Sequence, residues 1–432
     1  MASDEQIRAS VARPPKIYIL FVAGILLTFS LAVFTGTLFR WTFIGDIPAM
    51  LQQGNIRHAH SHLMFFGWVT LLPFLFLTYE FARSLPAKSR HLYSVCGWLF
   101  WLGLATWPAF LLYGYDPVPI GGMRLPFSVM LSGLIMLFWY VFVFYYWLHS
   151  RRVSSYLKNG FTHTSILLLL LSSLGAWGVA AVQFMAPHSA VLAKASTHFF
   201  LTTFSEGWCM LFGLGVLRAL LTGYQSPEPP PNKSEYSGII LIASGSLLLF
   251  PYAMGQEFMT PAWNWGVRLA TIATLGGYLT LIVAWRHLFR NLQLPETLPL
   301  LFLFFKILML AAALFMPAEM WLGRHQVNIF YLHNSLLGFV SLILIAYLRR
   351  QLIELIPEAW LYYVFYFTVF LVWLSLIPMM PGFPVWALGT WIYSFAAYVS
   401  PWPGVAALIL CAYAARRYYN LMSVENNTTV AR

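Results

Sequence analysis

The stretch from Arg57 to Trp68, RHAHSHLMFFGW, places three histidines within five residues at the start of a long apolar run. No charged residue follows until Glu80, so His58, His60 and His62 stand where a helix would enter a lipid bilayer. Imidazole in such a place loses hydration and needs a partner, which is a metal, a heme iron or a hydrogen-bonding neighbour. The function of the chain therefore depends on which other histidines reach the same depth.

The composition is typical of an integral membrane protein. Only 9% of the residues are charged and 60% are hydrophobic, whereas a soluble globular chain is about a quarter charged. The polar lead through Lys16 runs into an apolar stretch that is too long for a signal peptide and has no small-residue cleavage site. We expect that stretch to remain as the first membrane span.

Apolar runs of about 20 residues predict an all-α, polytopic membrane protein with about twelve transmembrane helices. The expected spans are 17–39, 58–82, 92–114, 125–148, 162–186, 192–217, 236–255, 265–285, 297–316, 328–348, 359–380 and 400–419. The apolar stretch 384–399 is predicted to be re-entrant or interfacial. The chain is expected to be a single membrane domain, 1–432, with six spans in 17–222, a Pro-rich cytoplasmic linker at 223–236, six spans in 237–420 and a polar tail at 421–432.

The basic residues predict the orientation. If the N-terminus and the even-numbered connections share one side, that side holds 18 of the 25 Lys and Arg, the other side holds six, and Lys306 lies within span nine. The positive-inside rule then puts both termini in the cytoplasm, and we expect a bacterial inner membrane. Scattered charge of this kind excludes nucleic-acid binding as the reason for the net charge of +11. The three cysteines form no C-x-x-C-H motif, which excludes a c-type heme.

This topology sorts the eleven histidines. Those expected to be interfacial anchors near the cytoplasmic side are His91, His149, His163 and His287. Those expected in solvated outer loops are His188 and His325. The histidines of span two, His198 and His333 all begin spans on the outer side, and their depths agree within about two helical turns. Imidazoles at one level on three helices suit a heme held between helices. We expect His58 to be a surface anchor, whereas the role of His198 stays open.

Three buried polar residues on span six form one stripe, because His198, Thr202 and Glu206 recur at i, i+4 and i+8. Glu206 and Lys306 both fall near the middle of the membrane. They form either an ion pair that joins spans six and nine, or Glu206 is a protonatable relay. Tyr331 is predicted to project from a different face than His333 and to serve in packing.

Three short motifs resemble subunit I of the heme-copper oxidase superfamily, which includes cytochrome c oxidases and nitric oxide reductases. They are H-S-H-L-M-F-F-G from His60, F-S-E-G-W around Glu206 and F-Y-L-H-N-S-L-L-G around His333, in the family's span order. The resemblance implies a low-spin heme b with His60 and His333 as ligands, and it matches Glu206 to the reductases' glutamate. Tyr331 takes the position of the ligand to the active-site heme.

The same resemblance also marks what this chain lacks. His62 falls where reductases often have Asn, and Thr202 stands where a copper or iron ligand would precede the glutamate. Span seven lacks the family's paired histidines. None of the four histidines of the binuclear centre is at its matching position, so ordinary oxygen reduction is not expected.

The leading hypothesis is therefore a protein with one low-spin, bis-His heme b on His60 and His333, and with His62 orienting or substituting as a ligand. It would transfer electrons or bind O2 or NO, with other respiratory-complex subunits or a cytochrome or quinol donor as partners in the bilayer. One alternative is an active oxygen or nitric oxide reductase with a rebuilt centre that uses His198 as a metal ligand with Glu206 and Tyr331. The other alternative is a membrane transporter or a respiratory-complex assembly factor.

Overall fold

The structure is a computed structural model. It describes residues 14–45, 47–48, 50–153, 157, 159–186, 188–223, 231–292, 294–316, 320, 323–353, 356–380, 389 and 391–430. Nearly all regular structure in these ranges is helical. The exception is a hairpin of two strands, β1 (Val118–Ile120) and β2 (Met123–Leu125), which pair in antiparallel fashion. Gly121 and Gly122 form its two-residue turn with φ of 57° and 83°, a backbone conformation that glycine adopts without steric cost.

Eleven helices in the described ranges are long and apolar enough to cross a membrane. They are α1 (Lys16–Trp41), α2 (Gln53–Ser84), α3 (Pro86–Tyr113), α4 (Phe127–Ser150), α5 (Gly160–Val182), α6 (Ala190–Leu221), α7 (Lys233–Ala253), α8 (Pro261–Trp285), α9 (Thr297–Phe315), α10 (His325–Gln351) and α12 (Trp391–Tyr419). A shorter apolar helix, α11 (Ala359–Leu374), lies between the last two. The prediction of an all-α, multi-pass membrane protein is confirmed.

The last two predicted spans differ most from the structure. Helix α11 has 16 residues, and its length of about 24 Å is short of the ~30 Å apolar core of a bilayer. Residues 391–399 of the predicted re-entrant stretch are helical, and a two-residue turn at Ser400 and Pro401 joins them to the helix Trp402–Val430. Proline is tolerated in the first turn of a helix, so the prolines here interrupt the helix only briefly. The rest of that stretch, 384–388 and 390, lies outside the described residues.

The predicted linker and tail are partly helical. Residues 224–230 of the linker lie outside the described ranges, but α7 begins within its last part because Asn232 and Glu235 form a capping box. The Asn232 side chain accepts a hydrogen bond from the Glu235 backbone, and the Glu235 carboxylate accepts one from the Asn232 backbone. At the other end of the chain, helix Trp402–Val430 extends through most of the predicted polar tail.

The chain forms two compact units. The first unit comprises Met1–His149, Ile345–Ser375 and Trp386–Arg432, and the second comprises Ser150–Leu344 and Leu376–Val385. In the first unit, α1 is central: the Phe29 ring lies 4.5 Å from that of Trp68 on α2 and 5.5 Å from that of Phe365 on α11, between ring centroids. Ser30 donates a hydrogen bond of 2.9 Å to the Gly404 carbonyl, which joins α1 to α12.

In the second unit, α7 and α8 approach each other backbone to backbone. A Cβ added at Gly277 would lie 2.9 Å from the Gly238 carbonyl oxygen and 3.1 Å from the Ile242 nitrogen. A Cβ added at Gly245 would lie 2.0 Å from Thr274 Oγ1. Small residues at helix interfaces permit this close packing in membranes, where dispersion between well-fitted helices replaces the hydrophobic effect.

Two helices of the second unit contain a π-helical segment, Thr203–Cys209 in α6 and His333–Val340 in α10. The sequence analysis predicted uninterrupted α-helices there. Single turns of π-helix occur frequently at functional sites, because the extra residue changes the direction of the side chains that follow. Both segments contain residues of the motifs around Glu206 and His333.

Candidate functional site

The second unit contains a buried cluster of polar side chains centred on Lys306 of α9. The Lys306 ammonium donates three hydrogen bonds, to Glu206 Oε1 at 2.6 Å, to the Tyr331 hydroxyl at 2.6 Å and to Ser335 Oγ at 3.1 Å. An ammonium has three N–H groups, so all of them are used. The Lys306 side chain is 0% exposed and that of Glu206 is 1% exposed. Of the two roles left open for Glu206, the structure shows the ion pair with Lys306.

Local packing explains why Lys306 reaches this position. One turn before it on α9, the Phe302 carbonyl accepts a hydrogen bond of 2.9 Å from the Asn334 side chain of α10. Gly338 leaves space for the Phe302 ring, since a Cβ at Gly338 would lie 2.3 Å from Phe302 Cδ1. These two contacts hold α9 against the π-helical segment of α10, and the ammonium therefore lies beside Tyr331 and Ser335.

Glu206 lies on the π-helical segment of α6, in a tightly packed environment. A Cβ at the next residue, Gly207, would lie 2.8 Å from Leu168 Cβ on α5 and 3.2 Å from Ser246 Oγ on α7. Within the described residues, Glu206 Oε2 has no hydrogen-bond partner, and neither does the neighbouring Thr203 Oγ1. One carboxylate oxygen is thus fully engaged by the ammonium, while the other can accept a hydrogen bond.

Tyr331 belongs to this cluster and does more than pack. The Lys306 nitrogen lies 4.0 Å from the centroid of the Tyr331 ring, in addition to the hydrogen bond to its hydroxyl. A cation over an aromatic face is stabilised by the ring quadrupole, most strongly when it is desolvated. The sequence did not lead to a prediction for Ser335, although the polar pair Asn334–Ser335 within an apolar span was a usable signal.

The predicted polar stripe of span six runs into the π-helical segment. That segment begins at Thr203, so Glu206 follows a different helical period from His198 and Thr202. In the part of the chain that the structure describes, no hydrogen bond joins His198 to Glu206 or Lys306. His198 lies one turn after Lys194, whose ammonium contacts Glu257 Oε1 at 3.0 Å on the exposed surface.

His60, in the first unit, packs against α1. Its Nδ1 lies 2.7 Å from the Ala32 carbonyl oxygen. A carbonyl only accepts, so Nδ1 carries the proton and Nε2 carries the lone pair. Gly36 leaves room for the ring, since a Cβ there would lie 2.7 Å from His60 Nδ1 and 2.8 Å from Cε1. The imidazole is therefore held in one orientation and one tautomer.

His58 and His62 face the other side of α2. The His62 ring stacks on Phe110 of α3 with 3.7 Å between centroids, and its Nδ1 lies 2.9 Å from the His58 carbonyl oxygen. The His58 ring lies 4.6 Å from that of Tyr115. This arrangement agrees with the sequence spacing, because residues at i and i+4 share one face of a helix and the residue at i+2 points elsewhere.

The remaining predicted histidines lie in several environments. His333 begins the π-helical segment of α10 in the second unit, with Nδ1 2.8 Å from the Ile329 carbonyl oxygen. His188 and His325 are both exposed, but only His188 lies outside a helix, because His325 begins α10. Among the described residues, no group of three or more His, Cys, Asp or Glu side chains is arranged to hold a metal ion.

A second buried ion pair was also missed from the sequence. Arg218 Nε donates to Glu235 Oε1 at 2.7 Å, and Trp285 Nε1 donates to the same oxygen at 2.6 Å. In the sequence, Arg218 directly follows the predicted span 192–217, and Glu235 falls in the predicted cytoplasmic linker 223–236. They join α6, α7 and α8 within the second unit, so we interpret the pair as structural.

Comparison with known proteins identifies no family for this chain. No protein-family model matches the sequence, and no curated protein matches it.

Proposed function

We propose that this chain is a membrane protein that binds heme b, with His60 as an axial ligand, for electron transfer or for binding a diatomic gas. The observation that supports this proposal most directly is the orientation of His60. Its Nδ1–H is donated to the Ala32 carbonyl, and its ring is held beside Gly36. Imidazoles that bind a metal are commonly fixed in this way, because the hydrogen bond selects the tautomer and raises the basicity of Nε2.

The orientation of His60 suits the cofactor that the resemblance implies. In the described residues Nε2 of His60 makes no hydrogen bond. His333 donates its own Nδ1–H to Ile329, and we keep it as the proposed second ligand. His62 faces Phe110, on the opposite side of α2 from His60, so we do not propose it as a substitute ligand for the same heme. A bound heme b would supply one-electron redox chemistry.

The geometry of the second unit does not favour the reductase alternative. That alternative needs His198, Glu206 and Tyr331 as a rebuilt metal centre. Lys306 donates hydrogen bonds of 2.6 Å to both Glu206 and Tyr331, and among the described residues no hydrogen bond joins His198 to either of them. A metal ion at this place would have to displace a fully hydrogen-bonded ammonium and overcome its positive charge.

The cellular setting is part of the same proposal. We propose a bacterial inner-membrane location with both termini in the cytoplasm, supported by the 18-to-6 distribution of Lys and Arg. An electron-transfer role requires a donor, and we propose a cytochrome or a quinol within a respiratory assembly. Fusion of a periplasm-sensitive reporter to each terminus tests the orientation directly.

We predict that His60→Ala lowers the heme content of the purified protein at least tenfold, because the iron loses the ligand that holds it. The measurement is a pyridine hemochrome assay of detergent-purified protein, with the reduced spectrum recorded in the presence and absence of carbon monoxide. His333→Ala is expected to retain some heme and to make it reactive toward carbon monoxide. His188→Ala, which changes an exposed histidine, is the control and should keep the full heme content. A colourless wild-type protein, or full heme in His60→Ala, would contradict the proposal.

The buried charges favour a second candidate function, proton-coupled transport by the second unit. Ionisable side chains within membrane helices are rare and usually serve transport or proton movement. Glu206 has one oxygen on Lys306 and one without a hydrogen-bond partner in the described residues, so it can both hold charge and accept a proton.

For this candidate we expect the double variant Glu206→Gln/Lys306→Met to fold but to lose proton movement. The measurement is the change of internal pH in proteoliposomes under an imposed membrane potential. Lys194→Met, which removes an exposed charge from the same unit, should behave like the wild type. If wild-type liposomes leak protons no faster than liposomes without protein, this candidate is wrong.

A further inference from the structure

We propose that His58 and His62 form a binding site for one divalent transition-metal ion of the kind that prefers imidazole, such as Zn2+, Ni2+ or Cu2+. The site is separate from the heme ligand His60 and does not depend on the heme proposal. His60 packs against Ala32 and Gly36 of α1, whereas His58 and His62 face α3 and the residues that follow it. One helix thus presents imidazole in two directions, to two different ligands.

The spacing of the pair suits chelation. His58 and His62 stand four residues apart on α2, so their side chains lie one turn above the other on the same face. Their ring centroids are 6.4 Å apart with an interplanar angle of 69°. Two imidazoles on one tetrahedral ion, with metal–nitrogen distances near 2 Å, have centroids about 5 Å apart. A side-chain movement of about 1 Å would therefore bring both rings onto one ion.

The surrounding contacts orient the rings for this role. The His62 Nδ1–H is donated to the His58 carbonyl, which leaves its lone pair on Nε2. Stacking on Phe110 at 3.7 Å fixes the plane of the His62 ring. Neither ring nitrogen of His58 has a hydrogen-bond partner in the described part of the chain, and this ring can turn toward the ion.

Tyr115 covers the pair from the α3 side. Its ring centroid lies 4.6 Å from that of His58 and 6.0 Å from that of His62. The Tyr115 ring packs edge-on against both imidazoles. Since Tyr115 is 44% exposed, an ion can enter from the solvent side, and Arg57 makes the site weaker than a closed metal centre.

The two imidazole nitrogens restrict the class of metal ion that this site can bind. Two neutral nitrogen donors with open coordination positions suit Zn2+, Ni2+ and Cu2+, whereas Mg2+ and Ca2+ prefer oxygen ligands. Among the three ions, we expect Cu2+ to bind most tightly, because its complexes with nitrogen ligands are generally more stable than those of Ni2+ and Zn2+. Water or a small anion would complete the coordination sphere.

The test uses the full-length protein in detergent, stripped with a chelator and titrated with NiCl2 or ZnCl2 in competition with a chromophoric chelator. We expect one ion per chain, with affinity reduced at least tenfold in His58→Ala and in His62→Phe. The phenylalanine keeps the stacking on Phe110, so circular dichroism and gel filtration should show a folded protein. His188→Ala is the matched control, because it removes an exposed histidine elsewhere, and it should bind as the wild type does.

Copper provides an independent readout. With one equivalent of CuCl2, electron paramagnetic resonance of the wild type should show nitrogen hyperfine coupling that both histidine variants lose. No saturable binding to the wild type, or equal binding by His58→Ala and His62→Phe, would overturn the proposal. The heme assay tests His60, whereas the Ni2+ titration tests His58 and His62. A protein that binds heme but not Ni2+ would contradict only the metal-site proposal. A protein that binds Ni2+ but not heme would contradict only the heme proposal.

Discussion

Replacing Lys306 with methionine is expected to destabilise the protein by about 3–5 kcal/mol, because Glu206 would keep a buried negative charge without its partner. The Lys306 side chain is 0% exposed, and the three hydrogen bonds that it donates would be lost together. Glu206→Gln should also destabilise, since the ammonium would then be buried beside a neutral amide. The measurement is denaturant-induced unfolding in one detergent, followed by tryptophan fluorescence.

The double variant distinguishes a charge effect from a packing effect. With Glu206→Gln and Lys306→Met together, no charge remains in this cluster, and we expect stability to recover so that the coupling energy between the two sites is at least ~2 kcal/mol. Lys194→Met is a matched control, because Lys194 and Glu257 form the same type of ion pair on the exposed surface. Exposed pairs contribute little, so this variant should unfold like the wild type. Simple additivity of the two single changes would show that the buried pair is not the cause.

Gly277→Ala is expected to destabilise the second unit by about 2 kcal/mol, because the new methyl group would enter the interface between α7 and α8. It would lie 2.9 Å from the Gly238 carbonyl oxygen, 3.1 Å from the Ile242 nitrogen and 2.7 Å from the Ile242 side chain. Two of these three neighbours are backbone atoms, which cannot rotate away. The helices would have to separate along this contact and lose the dispersion energy of close packing.

The preceding residue supplies the control. A Cβ at Gly276 would meet only Leu241 Cδ1, at 4.0 Å, so Gly276→Ala should be neutral or slightly stabilising through its higher helix propensity. Both variants make the same chemical change in adjacent positions of one helix. The measurement is the midpoint of thermal unfolding, from the fraction of protein that stays monodisperse after heating. Equal midpoints for the two variants would contradict the close approach of α7 and α8.

The class of fold could be predicted from apolar runs alone. A run of about 20 apolar residues must be helical in lipid, since no water is present to satisfy the backbone. The predictions were weakest near the C-terminus, where α11 is shorter than a span and residues 391–399 join the final helix. There the apolar stretches are close together and proline-rich, so length and composition could not decide which of them form one helix. The orientation of the termini and the count of twelve spans stay predictions.

The candidate sites were predicted in part. Helical periodicity correctly separated the face of His60 from that of His58 and His62, because their spacing along one helix determines their directions. The stripe through His198, Thr202 and Glu206 was predicted from a constant α-helical period, whereas a π-helical segment changes the period inside α6 from Thr203. No local pattern in F-S-E-G-W predicts the wider turns of a π-helix. The roles of His60 and His333 toward a heme stay proposals.

By itself, the sequence determined that this chain is a helical, multi-pass membrane protein with imidazole at the start of α2 and buried charges at Glu206 and Lys306. These features follow from hydrophobicity and helical period, which act over one or two turns. Only the tertiary structure decided that Lys306 meets Glu206, Tyr331 and Ser335 at once. Those residues come from three helices up to 129 positions apart, and contacts at such separation depend on how glycines such as Gly338 let the helices pack.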